Sequence, residues 1–152
     1  MAPIRMGFIG CGGNARGHIG RVLEMGECEV VSLCDSSEGS LQAACEHYGE
    51  DVEHLPRFVD YKAMLDSVEM DAVQISTPHT LHFDQIMASL DKGLHVLSEK
   101  PMVCTVDHAH QVIAKAEESG KVLMVSYQRH LGAQYRYVRN QIMAGELGEI
   151  QF

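Results

Sequence analysis

The sequence predicts an α/β protein with a doubly wound parallel sheet (a Rossmann fold) of six strands and helices on both faces. Short apolar runs alternate with longer segments of helical period, which is the pattern of βαβ units. A glycine-rich segment, Gly10–Ala15, separates the first strand from the first helix, and Asp35 follows the second strand. The 152 residues are enough for one domain with one sizeable core.

The first half of the chain contains three predicted strands and the helices that follow them. The predicted strands are residues 4–9, 30–34 and 57–59. The predicted helices run from about residue 14, over about 36–48 and over about 61–65. The third strand is the weakest of the three because its apolar run is short. These elements predict one half of a dinucleotide-binding sheet.

The second half repeats the pattern more clearly. The predicted strands are residues 72–75, 94–97 and 122–125. Helical spacing predicts the three following helices, whose markers are Phe83, Ile86, Met87 and Leu90, then Val106, Ala109, Ile113 and Ala116, then residues 133–144. Gly120 is the expected C-cap of the second of these helices. With right-handed crossovers, six strands complete a doubly wound sheet.

The last residues, 149–152, alternate like the beginning of another strand. A complete sheet does not need this strand. We therefore expect residues 1–148 to form the cofactor domain and residues 149–152 to begin a C-terminal α/β substrate domain. A free C-terminal tail is the alternative.

Composition and charge exclude several classes of partner. Twelve basic and 21 acidic side chains give a formal charge of −9, which disfavours nucleic acid and anionic membranes. The apolar runs are far shorter than the about 20 residues of a membrane span, and the N-terminus lacks the pattern of a signal peptide. Five cysteines without a CxxC pair indicate reduced thiols, so we expect a cytoplasmic protein.

The segment Gly10–Ala15 fits the dinucleotide fingerprint GxGxxA. Gly10 permits the tight turn, Gly12 lets the backbone approach a pyrophosphate, and Ala15 keeps the helix close to the strand. The pyrophosphate would lie on backbone N–H groups at the positive end of the helix. The other predicted cofactor-binding residues of the segment are Cys11, Gly13 and Asn14.

Asp35 lies 25 residues after Gly10, at the end of the second strand. A carboxylate there can accept hydrogen bonds from the adenosine ribose hydroxyls and would repel the 2′-phosphate of NADP. Ser36 and the residues after it offer no arginine for that phosphate. NAD is therefore favoured over NADP. The alternative is a glycine turn in which Asp35 merely caps the next helix.

Two further segments end neighbouring strands at the edge where open sheets bind ligands. They are Ser76-Thr77-Pro78-His79 after the fourth strand and Glu99-Lys100-Pro101 after the fifth. Lys100 is the candidate catalytic residue, because an ammonium there can hydrogen-bond a substrate hydroxyl and stabilise developing alkoxide charge. The alternative is a surface lysine paired with Glu99.

The sequence resembles the Gfo/Idh/MocA family, named after glucose–fructose oxidoreductase, inositol dehydrogenase and rhizopine catabolism. The resemblance covers essentially the whole chain. It rests on Gly-Cys-Gly-Gly-Asn-Ala at 10–15, Ser-Thr-Pro-His-Thr-Leu-His at 76–82 and Glu-Lys-Pro at 99–101. Tyr-Gln-Arg-His at 127–130 and Gly-Glu-Leu-Gly-Glu-Ile at 145–150 resemble the family's segments at the domain junction.

The resemblance implies a two-domain enzyme in which Lys100 lies in the active site and Glu99 and Pro101 lie beside the cofactor. It further implies that Thr77, Pro78 and His82 contact the nicotinamide half and that Gln128 reaches the nicotinamide or substrate. The family's Asp and His pair, which assists the lysine in proton transfer, comes from the second domain. We therefore expect the 152-residue chain to be inactive on its own.

Three other readings of individual residues are less favoured. The pairs His79/His82 and His108/His110 lack further ligands at zinc spacing, so we predict no metal site and assign His108 and His110 to solvated helix surface. Cys11 could be a low-pKa thiol at a helix N-terminus, although a small residue in a tight turn is simpler. The nine methionines could form a pliable binding surface, but Met6, Met87 and Met124 fall at core positions of predicted strands and helices. Most methionines are therefore predicted to serve ordinary packing.

A basic aromatic patch lies near the C-terminus, formed by Arg129 and Arg136 with Tyr127, Tyr135 and Tyr137. A contact surface for a second domain explains this patch better than nucleic acid, given the acidic balance. The same surface, if exposed, could support a homo-oligomer.

The sequence as a whole predicts the cofactor domain of an NAD-dependent oxidoreductase. The enzyme would transfer hydride between nicotinamide and a secondary alcohol, and the resemblance suggests a sugar or polyol as the small-molecule substrate. Two alternatives stay open: a non-catalytic nucleotide-binding or interaction module, and an NAD-using glycosidase of the same family.

Overall fold

The computed structural model describes residues 2–151 and contains one six-stranded sheet in the order β3-β2-β1-β4-β5-β6. The strands are β1 (Ile4–Ile9), β2 (Cys28–Cys34), β3 (Arg57–Phe58), β4 (Ala72–Ile75), β5 (His95–Ser98) and β6 (Leu123–Val125). All five pairings are parallel. The strand order reverses between β1 and β4, which is the switch point at which such sheets bind ligands. The predicted Rossmann fold is confirmed.

Residues 2–151 contain seven α-helices, of which the first six lie between strands and the last follows β6. They are α1 (Gly13–Glu24), α2 (Glu38–Tyr48), α3 (Glu50–Glu53), α4 (Tyr61–Ser67), α5 (His82–Asp91), α6 (Val106–Ser119) and α7 (Ala133–Met143). Single-turn 3-10 helices occupy His79–Leu81 and Gln128–Leu131. Side chains of Ser37, Asp60 and Thr105 cap the starts of α2, α4 and α6, as small polar residues do. Gly120 ends α6 in the left-handed conformation, as predicted.

The two central strands are apolar because helices cover both of their faces. Phe8 in β1 and Val73 and Ile75 in β4 are fully buried. One core cluster packs α1 and α2 against β1 and β2, and the other packs α4, α5 and α6 against β4 and β5. Both faces of the sheet are therefore closed, and the ligand-binding edge at the strand ends stays open.

Several predicted positions need correction. The four-residue helix α3 was not predicted, because its acidic sequence carries no apolar period. Strand β5 begins at His95, not at residue 94, since the N–H of Leu94 donates to the carbonyl of Ser89 in the preceding turn. Met124 is 48% exposed rather than core, because β6 is the edge strand.

The C-terminal segment packs weakly on the rest of the chain. Helix α7 contains no buried residue. Residues 144–151 form turns and extended chain without a strand, so the strand predicted to begin at residue 149 is not observed in the described part of the chain. Phe152 lies outside the described residues, and the second domain that it would begin stays a prediction.

Candidate dinucleotide and active site

The turn after β1 requires a glycine at position 10. Gly10 has φ +93°, and a Cβ there would lie 2.7 Å from the carbonyl oxygen of Ser76. Its N–H donates to the carbonyl of Cys34 at 2.7 Å. This close approach brings the turn after β1 against the end of β4, so no side chain fits at position 10.

Gly12 and the start of α1 leave space for a ligand. A Cβ on Gly12 would meet no atom within 4 Å, so the packing of the described chain does not demand a glycine there. Helix α1 has no side-chain cap and no acidic residue in its first turn. Its first N–H groups can therefore bind an anion. Ala15 is fully buried, which agrees with its predicted role in close helix–strand packing.

Asp35 connects the glycine turn to the segment before α2. One carboxylate oxygen accepts the Cys11 N–H at 2.8 Å, and the other accepts the Ser37 N–H at 2.9 Å. Each carboxylate oxygen can accept a further hydrogen bond. Asp35 is thus held in place by the backbone and still has acceptor capacity for ribose hydroxyls.

Two cavities meet at Ser76 and Thr77. The larger, about 700 Å³, is lined by Asn14, Ser76, Thr77, His79, Glu99, Lys100, Ser126, Tyr127, Gln128, Arg129 and His130. The smaller, about 340 Å³, is lined by Ile9, Gly10, Gly12, Cys34, Asp35, Ser36, Val59, Tyr61, Ser76, Thr77, Pro78, Leu81 and Gln85. The predicted ribose-binding acid lies in one cavity and the predicted catalytic lysine in the other. Their arrangement matches an extended ligand that crosses the ends of β1 and β4.

Lys100 is exposed and lines the larger cavity. Glu99 behaves differently, because its side chain is 6% exposed and accepts a hydrogen bond from His18 Nε2 at 2.9 Å. Burial opposes ionisation of Glu99, but hydrogen bonds from Asn14, His18 and the Lys100 N–H outweigh burial and hold its pKa below the ordinary value. Glu99 is therefore a fixed carboxylate that pairs with His18, and Lys100 is not its ion-pair partner among the described contacts.

His82 lies beneath the site. Its ring is fully buried, with Nδ1 2.9 Å from the Pro101 carbonyl oxygen and Nε2 3.0 Å from the Thr77 carbonyl oxygen. A neutral imidazole has one N–H and donates it to only one of these carbonyls, and the ring lies between the turns that carry Thr77 and Pro101. The predicted contact of His82 with the nicotinamide half stays a prediction, and the structure supports an indirect role through Thr77 and Pro101.

Four other residues predicted to bind the cofactor do not line either of these two cavities: Cys11, Gly13, Ala15 and Pro101. Cys11 contributes its backbone N–H to Asp35. Burial, with the nearby Asp35 charge, raises the pKa of its thiol to about 12. This value argues against the low-pKa thiol and for a small residue in a tight turn.

The remaining histidines and arginines considered in the sequence lie in different environments. His108 is half-buried and its ring stacks on Phe83 with centroids 3.8 Å apart, which corrects its assignment to solvated surface, whereas His110 is exposed. Arg129 lines the larger cavity. Arg136 lines a third cavity of about 480 Å³ beside α7.

The sequence reasoning did not identify several residues at the site. His18 contacts Glu99, which is 81 positions away in the sequence. No local sequence pattern predicts a contact between residues so far apart. Gln85 accepts a hydrogen bond from the Thr77 hydroxyl, and its position among the apolar residues of α5 was a usable signal. Tyr61 was placed on a short helix and not connected with the smaller cavity.

Residues 4–127 match the sequence model of GFO_IDH_MocA, described as an oxidoreductase family with an NAD-binding Rossmann fold. The chain is 31% identical over 150 residues to D-glucoside 3-dehydrogenase of Escherichia coli (strain K12). The aligned region covers 98% of this chain and 42% of that protein. It is 28% identical over 155 residues to a glycosyl hydrolase family 109 protein of Shewanella baltica (strain OS155 / ATCC BAA-1091), covering 99% and 34% of the two chains.

Among solved structures, the chain is similar to the WlbA dehydrogenase from Bordetella pertussis in complex with NADH and UDP-GlcNAcA. The TM-score is 0.85 at 32% identity, with 97% of this chain and 44% of that chain covered. The chain thus spans less than half the length of these relatives. None of the helices in residues 2–151 is both long and apolar enough to cross a membrane.

Proposed function

Because this chain belongs to the GFO_IDH_MocA family of oxidoreductases and forms its NAD-binding Rossmann domain, we propose that it provides the cofactor half of a dehydrogenase. The enzyme transfers hydride between NAD and a secondary alcohol of a sugar or polyol. The substrate class is supported by two relatives: one is named a D-glucoside 3-dehydrogenase, and the WlbA dehydrogenase structure is a complex with NADH and UDP-GlcNAcA.

The observation that carries this proposal is the larger cavity. Asn14 from the glycine segment and Lys100 from the turn after β5 line the same space. A dinucleotide whose pyrophosphate lies on the start of α1 would extend into this cavity and bring its reactive end near Lys100. A purely structural glycine turn would have no need for this juxtaposition.

The residues at the larger cavity have different roles, which follow from their contacts. When bound, NAD accepts or delivers the hydride. The exposed Lys100 ammonium hydrogen-bonds the substrate hydroxyl and stabilises the alkoxide character that develops as hydride leaves. The Glu99 carboxylate already accepts hydrogen bonds from His18 and from the Lys100 N–H, so it orients the turn and is not the base. Gln128 and Ser126 line the same cavity and can orient the substrate or the nicotinamide.

The preference for NAD over NADP is part of the proposal. Asp35 and Ser36 lie at the smaller cavity, where the adenosine ribose would be. A fixed carboxylate there repels a 2′-phosphate, and among residues 2–151 no arginine or lysine lines this cavity. The charge at Asp35 therefore favours the non-phosphorylated cofactor.

The exposed C-terminal surface fits contact with a second domain. Helix α7 carries exposed Tyr135, Tyr137, Val138 and Ile142, and the arginines of the basic aromatic patch lie beside them. We expect a second α/β domain to cover this surface and to complete the substrate site in the full-length protein. The chain on its own would bind cofactor without turnover, and its exposed surface would favour homo-oligomers.

Calorimetric titration of the chain with NADH and NADPH tests the cofactor site. We expect saturable binding that prefers NADH. Asp35→Asn should lower NADH affinity by about 10- to 150-fold, since charge-assisted hydrogen bonds contribute roughly 1.5–3 kcal/mol, and should narrow the preference for NADH over NADPH. Asp51→Asn, on exposed α3, is the matched control. Equal affinity for both cofactors would refute the role of Asp35.

Lys100→Ala tests the chemistry in the full-length protein. We expect turnover to be lost and NADH affinity to change little. The glycosidase alternative, favoured by the family 109 relative, predicts release of a sugar without net change in nicotinamide absorbance. A protein that keeps its rate without Lys100 would contradict the proposed mechanism.

A further inference from the structure

The Glu99 carboxylate connects two elements that are distant in sequence. It follows β5, yet its Oε1 lies 2.9 Å from Nε2 of His18 on α1. Its Oε2 accepts the N–H of Lys100 at 3.2 Å. The carboxylate therefore ties the helix that begins at the glycine segment to the backbone of the proposed catalytic lysine.

His18, which contacts Glu99, and Asn14, which lines the larger cavity, lie on one face of α1. Asn14 and His18 are four positions apart, which places their side chains one above the other. The His18 and Glu99 side chains are 13% and 6% exposed, so water competes weakly for their hydrogen bond. An ionised carboxylate only accepts hydrogen bonds, so His18 Nε2 carries the hydrogen and donates a hydrogen bond to Glu99 Oε1.

The position of Lys100 depends on this contact. The Lys100 backbone N–H is fixed by Glu99, and its side chain enters the cavity that Asn14 also lines. Without the donor on His18, the Glu99 side chain loses the partner that holds Oε1, and the turn that carries Lys100 loses its link to α1. Hydrogen bonds to a buried carboxylate are among the stronger ones in proteins.

We propose that His18 is a positioning residue that sets the location of Lys100 through Glu99. This inference rests on the proposed function of Lys100. It couples the start of α1, where the cofactor pyrophosphate would lie, to the residue that would contact the substrate. His18 needs no contact with the substrate for this role.

The test reads the environment of Lys100 directly in the 152-residue chain. Reductive methylation with ¹³C-formaldehyde labels the five lysines, and the signal missing in Lys100→Arg assigns Lys100. In His18→Leu and in Glu99→Gln we expect the Lys100 methyl signal to move by more than its line width. The signals of the other four lysines should stay in place.

Two controls separate positioning from general stability. His18→Gln keeps a donor near the place of Nε2 and should restore the wild-type Lys100 signal, whereas His110→Leu removes an exposed histidine and should have no effect. Circular dichroism verifies that each variant is folded. If His18→Leu does not fold, Glu99→Gln carries the test.

A Lys100 signal that stays at its wild-type position in the folded His18→Leu or Glu99→Gln variant would overturn the inference. A His18→Gln signal displaced as far as that of His18→Leu would do the same. The signal is read without cofactor, so it is independent of the NADH titration. Failure of that titration would count against the proposed function and leave this result standing.

Discussion

At the scale of single residues, several side chains at the site hold backbone groups and do not face the cavity. Asp35 accepts two N–H groups, Glu99 accepts the N–H of Lys100, and His82 lies between two carbonyls. Such contacts fix the turns after β1, β4 and β5. The residues predicted from motifs therefore include both ligand-facing groups and groups that shape the turns.

His82 gives the first prediction at this scale. His82→Phe should lower the free energy of unfolding by about 1–3 kcal/mol, because the carbonyl that accepts the imidazole N–H loses its donor and a buried unsatisfied group costs roughly that much. Urea unfolding measures the change. His110→Phe, at an exposed position of α6, is the control and should change stability little. Equal effects of the two substitutions would contradict this role of His82.

Cys11 and Cys34 give a pH prediction. Burial, aided by the charge of Asp35, raises the pKa of each thiol to about 12, whereas a thiol in the unfolded chain ionises near pH 8.5–9. Between these values the unfolded state releases protons that the folded state keeps. The free energy of unfolding should therefore fall as pH rises through about 9 to 11, by up to about 1.4 kcal/mol per pH unit for each thiol.

Substitution isolates this thiol contribution from other groups that titrate at high pH. Cys11→Ala should make the decline between about pH 9 and about pH 11 less steep, measured by urea unfolding at a series of pH values. Cys104→Ala removes an exposed thiol and should leave the slope as it is in the wild-type chain. A slope that Cys11→Ala does not change would show that the buried thiol ionises normally.

At the scale of elements, the sequence predicted what local pattern determines. β1 and β4 were predicted with their observed bounds, because both consist mostly of apolar residues, as strands covered on both faces do. β2 begins two residues before the predicted start at 30, since half-buried Cys28 and exposed Glu29 pair with β1 without an apolar signal. Pairing with a neighbour extends a strand beyond its apolar run.

Strand β2 also contains an unusual buried group, which gives the prediction at this scale. The hydroxyl of Ser32 is fully buried and has no hydrogen-bond partner among the described residues. Ser32→Ala removes the unpaired hydroxyl and should raise the free energy of unfolding by about 0.5–2 kcal/mol. Thermal and urea unfolding both report this change.

Ser89 is the matched comparison for Ser32. It is equally buried, but its hydroxyl donates to the carbonyl of Gln85 at 2.7 Å in α5. Ser89→Ala should therefore lower the free energy of unfolding by about 0.5–1.5 kcal/mol. Both substitutions delete a serine hydroxyl oxygen. Changes of opposite sign in the free energy of unfolding would therefore show the effect of the hydrogen-bond partner that Ser32 lacks among the described residues. Destabilisation by Ser32→Ala would indicate a bound water or an alternative rotamer that satisfies the hydroxyl.

At the scale of the whole molecule, the sheet order follows from general rules, whereas the site depends on contacts between distant segments. Right-handed crossovers and the glycine turn after β1 were enough to predict the fold. The motifs predicted that Asp35 and Lys100 belong to one ligand site. They could not predict that His18 reaches Glu99, since nothing in the sequence near either residue encodes their proximity. Long-range packing decides that contact.

The exposed C-terminal surface also belongs to this scale. Leu131, Tyr137 and Met143 are 68%, 65% and 74% exposed, and they occupy the segment that includes α7. Exposed apolar side chains gathered in one segment favour association in water. We therefore predict that the chain on its own associates reversibly, with an average mass that rises with concentration in sedimentation equilibrium.

Charged substitutions locate the contact surface. Leu131→Lys combined with Met143→Lys should shift the chain toward monomer, because a lysine ammonium resists burial against apolar side chains. Val106→Lys provides the control, since Val106 is similarly exposed, at 73%, but lies on α6. A chain that is monomeric at every concentration would exclude self-association through this surface and would also exclude a substrate site shared between copies. Association that all three substitutions leave unchanged would place the contact elsewhere on the domain.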